Sequence, residues 1–97
     1  MNLKDLFTED KPLQTKKLFT ATDGVISIQI KAGGQLKEHT TNVVALLICV
    51  TGEVVFENEK GTKEILFPGG YVNIEPMVKH SAKGIQDSQL LLIKKKK

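Results

Sequence analysis

GGQLKEHTTNVVALLICVTG, residues 33–52, is the stretch that decides the fold of this chain. It opens on paired glycines, which accept the positive φ of a tight reversal, crosses a polar tract to His39, and turns apolar from Val43 onward. In a strand, alternate residues share a face. His39, Thr41, Val43, Ala45, Leu47 and Cys49 then look one way, and Val44, Leu46, Ile48 and Val50 the other. Both faces are apolar beyond the first turn. The pattern predicts a strand covered on both sides, by a sandwich interior and by a further layer or a second subunit.

A second glycine-led stretch, GYVNIEPMVKH at residues 70–80, answers the first, and each carries one of the two histidines of the chain. Working outward, residues 2–7 predict one helical turn with Leu3 and Phe7 at i, i+4, too short to persist without packing. Strands are predicted over 15–20, 25–31, 62–67, 71–74, 79–83 and 88–93, and over 53–58 as the hairpin partner of the central strand. In 25–31 the residues Ile26, Ile28 and Ile30 mark a core face. Turn signals at Thr22-Asp23-Gly24, Thr51-Gly52, Glu59-Lys60-Gly61 and Pro68-Gly69-Gly70 separate these runs. About eight short strands with no long helix make an all-β sandwich or barrel.

At 97 residues and 40% hydrophobic content the chain is one domain's worth of sequence, and no apolar run approaches a membrane span. The N-terminal MNLKDLFTEDK has acids and no apolar stretch, unlike a secretory signal, so a cytoplasmic protein is expected. Cys49, the single cysteine, lies in the most apolar run and reads as a buried thiol. The net charge of +3 comes from the last four lysines; without them ten lysines face eleven acids, a body near −1. Arginine is absent, which removes the bidentate fork used on phosphate and guanine, and the five aromatics are not interleaved with cations. Neither a nucleic acid nor a membrane is the expected partner. The expected organisation is an N-terminal segment over 1–14, a β-barrel domain over 15–93 and a solvated lysine tail over 94–97.

Two spacings carry a resemblance. Gly33, His39, Thr41, Ala45 and Gly52 fall on the places of a motif that runs glycine, five residues, histidine, one residue, histidine, three or four residues, glutamate, six residues, glycine. Gly70, Pro76 and His80 occupy the main places of its companion motif, with one residue fewer after the proline, no internal glycine, and Gly84 where an asparagine is expected. In this the chain resembles the small single-domain cupins over about residues 18–93. The resemblance implies a jelly-roll barrel, a double-stranded β-helix of roughly eight or more short antiparallel strands, as in RmlC-like proteins.

In metal-binding cupins the two histidines and the glutamate of the first motif, with the histidine of the second, hold one transition-metal ion. This chain keeps His39 and His80 but has Thr41 and Ala45 at the other two places. Alanine is no ligand and a neutral hydroxyl a poor one, so no metal cofactor is expected. If any ion binds, it is a weakly held divalent transition metal on His39 and His80. Cys49 lies ten residues from His39, out of reach along one extended strand.

The expected site is instead a small-molecule pocket at the barrel mouth. His39, Thr41, Ala45, Met77 and His80 are its candidate residues, the imidazoles partly exposed, and Val43, Phe67 and Ile74 add apolar wall. The first functional expectation is a small-molecule-binding or accessory module with a degenerate metal site. Two alternatives stand beside it: a cupin enzyme of the isomerase, epimerase or dioxygenase type, with or without a metal, and a structural domain whose site has decayed. No nucleophile elbow surrounds Ser27, Ser81 or Ser88, and no phosphate-cradling glycine motif is present. The two-sided apolar strand and the resemblance both point to a two-fold homodimer.

Overall fold

A computed structural model of the chain describes residues 1–18 and 24–95. Among these residues nine strands form two antiparallel sheets: β1 (Leu13–Lys17), β2 (Val25–Ile30), β3 (Gln35–His39), β4 (Ala45–Thr51), β5 (Val54–Asn58), β6 (Lys63–Leu66), β7 (Tyr71–Ile74), β8 (His80–Gly84) and β9 (Ser88–Lys94). One sheet has the order β1-β2-β9-β4-β7 and the other β3-β8-β5-β6. The one helical element among the described residues is a 3-10 turn, Leu3–Leu6, capped by the Asn2 side chain at 3.1 Å from the Lys4 amide. No helix of the described residues is long and apolar enough to cross a membrane. The expected strand end at residues 19–20, the turn residues Thr22 and Asp23, and Lys96 and Lys97 lie outside the described residues.

Residues 33–52 form two strands in different sheets, which corrects the single continuous strand expected from their pattern. β3 pairs with β8, while β4 lies between β9 and β7. The break falls where the Thr41 hydroxyl donates to the Val43 carbonyl at 2.9 Å, a local bond that competes with extended pairing. The facing of His39 therefore does not carry over to Ala45. The expected hairpin of 53–58 with the central strand is also corrected, because β5 pairs with β6 and β8. Gly52, at φ +89°, is a corner between sheets, and a Cβ there would strike Ser88 Oγ and the Asp87 carbonyl. The crossing is stitched by Ser88, whose hydroxyl accepts from the Glu53 amide at 2.9 Å.

Strand alternation fills the space between the sheets. Ile28, Ile30, Leu47, Cys49, Leu90 and Leu92 from one sheet meet Val54, Phe56, Leu66 and Ala82 from the other, all buried. The opposite face of β4 is covered only in part: Leu46, Ile48 and Val50 are half-buried, and Val44 just ahead of the strand is 44% exposed. On that outer side the N-terminal segment is tied to β1, with Lys16 Nζ donating to the Leu6 carbonyl at 3.1 Å and Gln14 Nε2 to the Glu9 carbonyl at 2.6 Å.

Candidate functional site

The two histidines, 41 positions apart in sequence, become direct partners across the β3–β8 ladder, where a bulge between Leu36 and His39 resets the register. Their ring centroids lie 4.2 Å apart at 60°, and His80 also stacks on Phe56 at 5.8 Å. His39 Nδ1 is 2.8 Å from the Lys37 carbonyl and His80 Nδ1 is 3.2 Å from the Val78 carbonyl. A carbonyl only accepts, so each Nδ1 carries the proton and each neutral ring keeps its lone pair on Nε2. Neither Nε2 has a hydrogen-bond partner among the described residues.

The pair is asymmetric, which differs from the expectation of two partly exposed rings. His39 is half-buried, whereas His80 is only 3% exposed. Burial holds the His80 pKa below the usual histidine value; the bond to the Val78 carbonyl opposes this, and the neighbouring His39 lowers it further. His80 is therefore a neutral, recessed base.

Met77 brings the second glycine-led segment against the first. Its amide donates to the Thr41 carbonyl at 2.7 Å, tying the β7–β8 turn to the β3–β4 loop. It holds φ +63°, a left-handed conformation that costs a side-chain-bearing residue about 1–2 kcal/mol. Strain of this kind persists where the surroundings over-determine it, often at sites.

The tied loops rim an open depression of about 390 Å³. His39, Thr40, Thr41 and Asn42 form one wall, Met77 a second, and Leu92 with Lys94 the third. Of the residues expected from the sequence, the structure brings together His39, Thr41 and Met77 here. His80 sits behind His39, and Ala45 lies in the core, 2% exposed. Ile74 is likewise a core residue, Phe67 is 56% exposed, and neither it nor Val43 lines the depression. Thr40, Asn42, Leu92 and Lys94 are additions that sequence reasoning missed. For Lys94 a signal existed: it continues the inward alternation Leu90, Leu92 along β9, and its backbone is paired opposite Ala45 rather than lying in a solvated tail.

Among the described residues no three of His, Cys, Asp and Glu converge in a way that could hold a metal ion. The Thr41 hydroxyl is engaged with Val43, Ala45 offers no donor, and Cys49 lies at the far end of β4 with Sγ 3.4 Å from the Thr51 carbonyl. Two imidazoles do not make the donor set of a resident transition metal.

No family model matches the sequence, and no curated protein matches it. Solved structures do. A conserved protein of unknown function from Streptococcus pyogenes superposes with a TM-score of 0.85 at 14% identity, over 100% of this chain and 86% of that one. A cupin superfamily protein from Desulfitobacterium hafniense gives 0.82 at 17% identity, over 95% and 84% of the two chains. The cupin domain of an XRE-family transcriptional regulator from Enterobacter cloacae gives 0.76 at 17%, over 90% and 99%. At these identities the likeness is one of fold. Two facing antiparallel sheets, with both glycine-led segments meeting at one end, give this chain the fold of a small cupin domain.

Proposed function

We propose that the chain is a small-molecule-binding module that takes its ligand, without a metal, in the depression beside His39. The observation that carries this reading is the convergence there of residues from three separate segments, mixing apolar wall with polar groups that include a His39 Nε2 without a partner among the described residues. That is the usual make-up of a small-molecule site. The donor set argues against metal enzymology, and protein purified without chelators should carry well under one equivalent of transition metal by elemental analysis. A stoichiometric, chelator-resistant ion would overturn the metal-free reading. For ligand binding, the test is a screen of small organic molecules, charged and neutral, by ¹H–¹⁵N correlation spectra. Shifts at the amides of His39, Thr41, Met77 and Lys94 support the module; shifts confined elsewhere, or none, refute it.

The same proposal sets the domain in the cytoplasm, consistent with one unpaired, buried cysteine. It also takes the half-covered outer face of β4, with Leu46, Ile48 and Val50, as the contact of a two-fold homodimer. Sedimentation equilibrium at tens of micromolar tests this, and a monomer there refutes it.

A further inference from the structure

Among the described residues, the depression carries a charge that nothing nearby answers. Lys94 is the one cation among the described residues of its wall, and no Asp or Glu of these residues lines it. Lys94 is held in place by its backbone, which pairs opposite Ala45 and donates to the Gly24 carbonyl at 2.7 Å, and its side chain is half-buried. Other lysines have found carboxylates: Lys11 pairs with Glu9, Lys31 with Asp10, Lys60 with Glu75 and Lys63 with Glu57. No ion pair among the described residues involves Lys94. An ammonium in a concave site, flanked by Leu92 and Met77 and without a counter-charge, attracts an anion more strongly than an exposed lysine does, because less water screens it.

The neighbouring groups narrow the anion. A single ammonium with no arginine neutralises one negative charge and offers a point donor rather than a fork, which suits a carboxylate better than a phosphate dianion. His39 presents a bare Nε2 acceptor, which asks for a hydrogen-bond donor on the ligand. Met77 and Leu92 ask for apolar bulk. We propose that the depression binds a small 2-hydroxy monocarboxylate with an apolar body, its carboxylate on Lys94 and its hydroxyl donating to His39 Nε2. This rests on the binding-module reading and adds the chemical class of the ligand.

Mandelate and its neutral counterpart mandelamide are the probes, titrated into the ¹⁵N-labelled full chain at low salt. Mandelate should shift the amides of residues 39–42, Met77 and Lys94, and mandelamide should bind about tenfold more weakly, the loss expected for one charge-assisted contact. Lys94→Met should remove that difference and Lys94→Arg should keep most of it. Lys95→Met, next in sequence and exposed, should leave it intact. Dispersed spectra confirm that each variant is folded. Equal binding of the two probes at these amides overturns the anion assignment and leaves the module reading standing. Tighter binding of inorganic phosphate at the same amides overturns the carboxylate assignment. Failure of both probes and of every neutral molecule in the screen overturns both readings.

Discussion

Replacing His80 by alanine separates scaffold from site within the histidine pair. The ring is 3% exposed, stacked on Phe56 and against His39, so its burial is worth about 1.5–3 kcal/mol, as for other side chains of that size. Losing the Nδ1 bond to Val78 removes about 0.5–1.5 kcal/mol more. The net expectation is a loss of about 2–4 kcal/mol near pH 8, read from the guanidinium midpoint at unchanged slope. His39→Ala, at a half-exposed ring, should cost less than about 1 kcal/mol. The pH dependence supplies a second reading of the same residue. The folded pKa of His80 lies below the unfolded value of about 6.5. Its neutral form therefore contributes fully above about pH 6.5, and the contribution is lost as pH falls from there toward the lowered folded value, because the unfolded chain takes up the proton first. The gap between wild type and His80→Ala should shrink from pH 8 to pH 5. A gap that widens on acidification, or a His39→Ala penalty equal to that of His80→Ala, refutes this assignment of roles.

Leu47→Ala should cost about 3–5 kcal/mol, the upper part of the range for buried leucines, because Leu92 and Val72 on the flanking strands hold β4 and prevent collapse into the cavity. Leu46→Ala, on the half-covered face, should cost clearly less in the same denaturation assay. Cys49 is fully buried and its thiol pKa is raised by that burial, so an aromatic disulfide reagent should label it only at the rate of unfolding. Fast labelling of native protein contradicts the core placement. Met77→Gly should leave stability within about 1 kcal/mol, since relief of the left-handed backbone is offset by the chain entropy of glycine. Met77→Val, β-branched at the same φ, should cost about 2 kcal/mol by thermal melting, and equal stabilities of the two variants count against strain at this position.

Most strands were legible because half-burial imposes a period of two on side chains, and that period is local. Residues 71–74 coincide with β7, and the Ile26, Ile28, Ile30 alternation marks the core face of β2. Sheet membership was not legible. His39 and Ala45 sit six positions apart in a stretch that stays compatible with one strand, yet they belong to opposite sheets, and the bond from Thr41 to Val43 that breaks the chain uses a residue equally at home in a strand. Gly52 was readable as a reversal, but whether a reversal closes a hairpin or turns a corner depends on which strands wait on either side. Here those were Leu90 and Leu92 of β9, nearly forty positions downstream, and only the three-dimensional register records that.

The site shows the same division between local and distant information. Motif spacing singled out His39 and Thr41, with Met77 named as a pocket residue one place after the motif proline, Pro76. It could not tell a ring that lines the depression from one stacked behind it, since His39 and His80 differ in burial through Phe56 and not through their own neighbours in sequence. Lys94 shows the opposite failure. Four consecutive lysines look alike by composition, and composition assigns all of them to solvent. Strand period distinguishes them: Leu90 and Leu92 face inward, so the next inward position is 94, and Lys95 faces out, exposed, with its amide donating to the Val44 carbonyl at 2.8 Å. A cation placed by strand register at the end of a core-facing row projects into whatever opens there, and in this chain that is the depression beside His39.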